Sequence, residues 1–164
     1  MTLLELINIS LKWNSPKEKP FIKNLNLKIN NGNILSVFGK SGVGKSSLIN
    51  VIAGTNEDNL SFEGEIILNG KILNNIPIER RKIGLLLQEG TLFPHLTVEQ
   101  NIYFGMNRKL KSKDKLFLID ENLKKANMDG FQNRYPHTLS GGQKARIACL
   151  RAVMSEPELL LLDE

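Results

Sequence analysis

The sequence predicts an α/β fold in which helices flank a doubly wound parallel sheet, and two observations support this prediction. A short apolar run at 34–38 precedes a glycine-rich turn, and a helical pattern closed by Gly54 follows that turn. Two more apolar runs, at 83–87 and 159–162, also predict strands, and the first is nearly as continuous as a strand buried on both faces. In such sheets, binding sites collect at the carboxyl ends of the strands.

The segments before and after the glycine-rich turn and its helix predict a small antiparallel β subdomain. Residues 4–9 and 21–29 alternate apolar and polar side chains, which is the period of half-buried strands. Residues 64–73 indicate a hairpin, because Asn69-Gly70 at its centre favours a tight turn. Trp13 lies at the end of the first alternating segment.

Residues 39–46 match the phosphate-binding pattern G-x-x-x-x-G-K-[S/T], in the strand-turn-helix context that the pattern requires. Its glycines let backbone N–H groups point inward around a phosphate, at the positive end of a helix dipole. Lys45 adds a charge for the β- and γ-phosphates, and the Ser46 hydroxyl is placed to bind Mg²⁺. An incidental Lys-Ser in an ordinary turn is the alternative. We therefore predict that a nucleoside triphosphate is bound, with Mg²⁺, by Gly39, Lys40, Ser41, Gly42, Val43, Gly44, Lys45, Ser46 and Ser47.

The middle of the chain predicts helices. Thr97-Val98-Glu99-Gln100 forms a capping box that begins a helix ending near Gly105. A second helix is expected over 116–126, where the apolar residues at helical spacing are Leu116, Ile119, Leu123 and Ala126.

Two polar sites follow these helices. Ser140 and Gln143 fit an N-cap and its reciprocal partner, and the glycines between them suit a helix start that an anion approaches closely. A helix start merely softened by glycine is the structural alternative. Asp163 and Glu164 end the last apolar strand, where Asp163 would join the Mg²⁺ shell and Glu164 would activate a water.

Composition limits the class of protein. The formal charge of +5 owes much to the basic run 108–115, which we interpret as a solvated linker and helix start; attraction to anionic lipid is the alternative, and no nucleic-acid partner is expected. The single Cys149 is predicted to be buried, without a disulfide framework. The sequence shows neither a signal peptide at its start nor an apolar run of about 20 residues, so we expect a cytoplasmic protein.

Taken in order, these stretches resemble the ATP-binding subunit of an ABC transporter. GKSGVGKS is the phosphate loop, Gln88 matches the Q-loop, LSGGQ at 139–143 is the signature, and LLLLDE at 159–164 is the Walker B strand. The resemblance implies a P-loop NTPase fold in one domain over 1–164, with a helical subdomain over about 92–139. Within the family, 93–102 looks like bacterial binding-protein-dependent importers, and 139–164 is most similar to thiamine-type and YnjD-type ATPases.

The resemblance also implies roles for individual residues. Trp13 would stack on adenine, Gln88 would contact Mg²⁺ and sense the γ-phosphate, and Glu164 would polarise the attacking water. In a head-to-tail dimer, the signature residues Ser140, Gly141, Gly142 and Gln143 would cover the γ-phosphate held by the second copy. The implied partners are that second ATP-binding domain, a membrane permease and a solute-binding protein, at the cytoplasmic face of the membrane.

The family continues past Walker B through a D-loop and a switch histidine, so we expect the C-terminal part to be missing here. His95 and His137 precede Walker B and do not match the switch histidine. We therefore expect little or no turnover by the 164-residue form. The alternatives are a non-transport relative of the iron–sulfur assembly type and a non-functional nucleotide-binding fragment.

Overall fold

The computed structural model describes residues 2–15, 19–55, 57–87, 92–106 and 110–163. Two units are distinguished along the chain, Met1–Ile83 and Gly84–Glu164. The architecture is α/β, with an N-terminal antiparallel sheet, a second sheet and helices, which confirms the predicted fold class. The expected helical subdomain at 92–139 remains a prediction. No helix in these ranges is long and apolar enough to cross a bilayer.

The first unit is built on a four-stranded antiparallel sheet with the order β2-β1-β3-β4. Its strands are β1 (Thr2–Trp13), β2 (Ile22–Asn30), β3 (Leu60–Leu68) and β4 (Lys71–Ile72). The hairpin between β3 and β4 turns at Asn69-Gly70, where both residues have positive φ, as the sequence predicted. The alternating segments at 4–9 and 21–29 are thus confirmed as strands.

An irregularity in β1 explains how that long strand keeps its apolar face on the core. Leu6 and Ile9 are both buried although they are three positions apart. The pairing register with β2 shifts between these two residues, and the register with β3 shifts between Ile7 and Ser10. Asn8 has φ 51° at this point, and Gly64 of β3 packs against its carbonyl. A bulge of this kind adds one residue and restores the inward phase of the strand.

The predicted helix after the glycine-rich turn is α1 (Lys45–Ala53), and Gly54 closes it in the left-handed conformation. The Arg81 side chain, 6% exposed, caps the same end: it donates to the carbonyls of Val51 and Ile52 at 3.1 and 2.9 Å, and to that of Ile76 at 2.8 Å. A cation there satisfies carbonyls that lack partners within the helix and opposes the negative end of its dipole. Burial lowers the pKa of the Arg81 guanidinium.

We expect Arg81→Met to destabilise the first unit by about 2–3 kcal/mol, because buried carbonyls at the end of α1 lose their donors. Urea unfolding measures this difference. Arg80→Met is the matched control, since Arg80 is an exposed neighbour of the same charge, and it should change stability by less than about 0.5 kcal/mol. Equal stability of the two variants would show that the cap contributes nothing.

The apolar run at 34–38 is not a strand, so that sequence prediction is wrong. Neither sheet of the described residues includes it, and Ile34 and Phe38 are 96% and 91% exposed. Apolar character alone does not form a strand, because the backbone must also find hydrogen-bonding neighbours in the sheet. Within the first unit, β1 to β4 pair among themselves, and 34–38 leads to the glycine-rich turn without joining a ladder of the described strands.

The second sheet pairs β5 (Ile83–Leu86) with β6 (Leu159–Leu162), which confirms two of the predicted strands. Both strands are only half-buried along most of their length, because each has one neighbour among the described strands, so β5 is not buried on both faces as predicted. Three helices accompany them: α2 (Val98–Gly105), α3 (Ser112–Lys125) and α4 (Gly141–Val153). Their shared core consists of Val98, Ile102, Met106, Ile119, Leu123, Met128, Leu139 and Ile147.

The buried row of α3 differs from the predicted one at its first position. Leu116 is 41% exposed, whereas Lys115 is 5% exposed and its ammonium lies 4.4 Å from the centre of the Tyr103 ring. Lys115 is four residues before buried Ile119, so its aliphatic stem continues the apolar row. The basic run is therefore not solvated throughout. Cys149, predicted to be buried, is only half-buried.

Candidate functional site

The glycine-rich turn places Lys45 at its centre. The Lys45 ammonium donates to the carbonyls of Gly39 and Lys40, at 3.0 Å each, so the side chain folds back across the loop that precedes α1. Lys45 is the first residue of α1, and its N-cap is Gly44, so no side chain caps the helix N–H groups. The first N–H groups of the helix and a lysine charge therefore converge on one loop, an arrangement that suits a phosphate.

Gly44 is required by both its backbone and its surroundings. Its φ of 101° is one that L side chains rarely adopt, and a Cβ there would lie 2.5 Å from the Phe21 ring. The aromatic ring thus packs directly on the backbone of the phosphate loop. Nothing in the sequence pattern distinguished Phe21 from the other apolar residues of its segment, because only the fold brings it to the loop.

An aromatic pair extends from this loop toward the end of β1. The rings of Trp13 and Phe21 are stacked, with centroids 5.4 Å apart and an interplanar angle of 27°. Both side chains are half-buried. The structure therefore connects Trp13, the residue expected to stack on a base, to the phosphate loop through Phe21.

In the second unit, the predicted capping box at the start of α4 is present. The Ser140 side chain accepts from the Gln143 N–H at 3.3 Å, and the Gln143 side chain accepts from the Ser140 N–H at 2.8 Å. Because Ser140 Oγ serves here as an acceptor, its own hydrogen is left to donate. The box holds the first turn of α4 in place with its outer face exposed.

Gly141 and Gly142 are not explained by packing within the described chain. A Cβ built on either residue meets no described atom within 4 Å, and neither has positive φ. Alanine would fit at both positions and would favour the helix by up to about 1 kcal/mol each. The glycines thus leave room at an exposed helix N-terminus, which is where an anion from outside the chain would bind.

Asp163 follows β6, and its N–H donates to the Leu86 carbonyl at 2.9 Å. This bond fixes the acidic residue at the end of the β5–β6 pair. Gln88 and Glu164, the other two residues expected to act on Mg²⁺ and water, lie outside the described residues.

The donor types among the predicted ligands suit Mg²⁺. Within the described ranges, no group of three or more His, Cys, Asp or Glu residues could hold a metal by itself. Mg²⁺ is typically bound by one or two carboxylates together with substrate phosphates. A hydroxyl such as that of Ser46 and a carboxylate such as that of Asp163 fit that smaller set of ligands by their chemistry.

Comparison with known proteins identifies the pattern. The family model described as ABC transporter matches residues 22–164. The spermidine/putrescine import ATP-binding protein PotA of Clostridium novyi is 36% identical over 163 residues, which are 99% of this chain and 45% of that protein. The sulfate/thiosulfate import ATP-binding protein CysA of Synechocystis is 42% identical over 147 residues, which are 87% of this chain and 40% of that protein. The Fe(3+) ions import ATP-binding protein FbpC of Fusobacterium nucleatum is also 42% identical, over 145 residues, 87% of this chain and 38% of that protein.

A solved structure agrees with this result. The dimeric ATP-binding cassette MJ0796, in a post-hydrolysis state bound to ADP and Pi, matches with a TM-score of 0.83 and 30% identity, over 99% of this chain and 74% of that chain. Of the three import proteins named above, the chain spans about two fifths of the length. These relatives and this structure confirm the resemblance to importer ATP-binding subunits.

Proposed function

Since the chain belongs to the ABC transporter family, we propose that it binds MgATP and that ATP hydrolysis in its dimer drives solute import through a separate membrane permease. The observation that carries this proposal is the loop geometry, in which the Lys45 ammonium bridges the Gly39 and Lys40 carbonyls at the N-terminus of α1. A triphosphate placed there gains backbone donors, a helix dipole and a lysine charge together.

Binding begins with the polyphosphate. The N–H groups of 41–46 surround the β-phosphate, and Lys45 moves part of its hydrogen bonding from loop carbonyls to the β- and γ-phosphates. By their donor types, the Ser46 hydroxyl, the Asp163 carboxylate and the Gln88 side chain would hold Mg²⁺. When bound, the ion would supply positive charge to offset that of the phosphate oxygens. Trp13 stacks on the base at the other end of the nucleotide.

The signature acts on a nucleotide held by a second copy of the domain. Exposed Gly141 and Gly142 open the N-terminus of α4, and the capping box fixes Ser140 beside it. A γ-phosphate from the partner supplies the anion that this helix end favours. Two such domains, arranged head to tail, would close on two ATP molecules, and Glu164 would then polarise the attacking water.

Opening and closing of the dimer would drive the conformational change of the permease. The proposed location is the cytoplasmic face of the membrane, with a solute-binding protein as a further partner on the other side. Three relatives of similar identity are named for three different solutes. This supports a division of labour in which the permease and the solute-binding protein select the solute and the ATP-binding domain supplies the energy.

Glu164→Gln tests the hydrolytic step in a form of the protein that hydrolyses ATP. Removal of the general base should lower ATP turnover by about 10²- to 10⁴-fold, while MgATP still binds and holds the dimer closed. Phosphate release measures turnover, and gel filtration with MgATP measures dimerisation. Glu156→Gln, at an exposed nearby position, is the control and should hydrolyse ATP normally. Unchanged turnover in Glu164→Gln would contradict the assigned role.

A further inference from the structure

Phe21 lies between two parts of the proposed nucleotide site. One side of its ring stacks on Trp13 at 5.4 Å between centroids, and ring atoms Cε2 and Cδ2 pack against Gly44 of the phosphate loop. Its backbone is fixed as well, because the Phe21 N–H donates to the Leu11 carbonyl of β1 at 2.9 Å. The ring therefore has a defined place between the end of β1 and the start of α1.

The Phe21 ring constrains both residues that it contacts, Gly44 and Trp13. Its contact with Gly44 excludes any larger residue from the N-cap of α1, because a Cβ there would lie 2.5 Å from the ring. Its contact with Trp13 occupies one face of the indole. A base that stacks on Trp13 would use the other face, and stacking is strongest when the supporting ring does not move.

We propose that Phe21 is a positioning residue for the nucleoside, which fixes Trp13 at a set distance from the phosphate loop so that one ligand reaches both. This inference rests on the proposed MgATP site and adds to it the residue that joins base recognition to phosphate recognition. Phe21 contributes to affinity through Trp13, and a ligand without a base gains nothing from it.

The experiment compares Mg²⁺-ATP with Mg²⁺-tripolyphosphate, which has the phosphates but no base, by calorimetry on the whole protein. Phe21→Ala should weaken ATP binding by about tenfold, the range of base stacking on an aromatic ring. Its affinity for tripolyphosphate should stay within about twofold of wild type, because the Lys45 contacts remain. Phe21→Tyr keeps the ring and should retain ATP affinity.

Trp13 provides the matched test, because it is the only tryptophan in the chain. Trp13→Ala should lose the same factor in ATP affinity, and Trp13→Ala with Phe21→Ala should lose no more than Trp13→Ala alone. In Phe21→Ala, the change in Trp13 emission on adding ATP should disappear. Phe21→Leu, which still covers Gly44, repeats the comparison if the alanine variant unfolds, and thermal unfolding identifies that case.

Three results would overturn the role of Phe21. The first is equal weakening of both ligands in the folded variant, whether Phe21→Ala or Phe21→Leu. The second is ATP binding that is unchanged or tighter in that variant, and the third is additive losses in the double variant. Failure of the underlying site looks different. If wild-type protein binds ATP no more tightly than tripolyphosphate and Trp13→Ala changes neither, the base-stacking part of the proposed function fails before Phe21 is tested.

Discussion

Lys45→Ala is expected to weaken MgATP binding by about 100-fold, because the variant loses charge-assisted hydrogen bonds to the β- and γ-phosphates. The fold should survive this change. The two carbonyls that Lys45 contacts, those of Gly39 and Lys40, belong to exposed loop residues that water can reach. Calorimetry or the emission of Trp13 measures the affinity, and urea unfolding confirms that stability is retained.

Lys71→Ala is the control for Lys45→Ala. Lys71 is an exposed lysine of β4 in the same unit, so its removal changes net charge equally without touching the loop. It should leave ATP affinity within about twofold of wild type. If the two variants bound ATP alike, the phosphate loop would not be the nucleotide site, and the proposed function would lose its central contact.

In a form of the protein that hydrolyses ATP, Gly142→Asp is expected to lower turnover by about 100-fold or more while the domain stays folded. The side chain has room, because a Cβ at Gly142 meets no described atom within 4 Å. A carboxylate in the first turn of α4 also interacts favourably with the helix dipole, worth about 0.3–1 kcal/mol. The same charge, however, would face the γ-phosphate of the second copy, and like charges brought together cost several kcal/mol.

The result expected for Gly142→Asp is therefore a protein at least as stable as wild type that binds ATP but does not close its dimer. Phosphate release, thermal unfolding and light scattering with MgATP measure the three properties. Gly142→Ala separates size from charge and should keep more turnover than the aspartate. Wild-type turnover in Gly142→Asp would rule out a γ-phosphate at this helix end.

Local chemistry explains why much of the chain was predictable from sequence. The capping boxes at Thr97 and Ser140 both form, and the glycine end of α1 and the Asn69-Gly70 turn are present. In each case the hydrogen bonds or backbone angles involve residues within a few positions of one another. Such features depend little on the rest of the fold.

The predictions that were wrong, a strand at 34–38 and a buried Leu116, failed for a different reason. The run 34–38 has the composition of a buried strand, but strand formation also depends on a neighbour that composition does not name. Leu116 lies at helical spacing from Ile119, yet the packing of α3 selects the row that contains Lys115. In both cases a periodic pattern allowed more than one arrangement, and long-range packing selected among them.

By itself, the sequence determined which residues carry the chemistry proposed for this protein: a lysine and glycines for one phosphate, a bare helix start for a second phosphate, and acids at a strand end. Only the tertiary structure decided which side chains support that chemistry. Arg81 caps a helix through carbonyls 30 and 29 residues away, and Phe21 joins Trp13 to Gly44. The physical reason is that hydrogen bonds between near neighbours are set by local backbone geometry, whereas contacts between distant residues exist only once the core has formed.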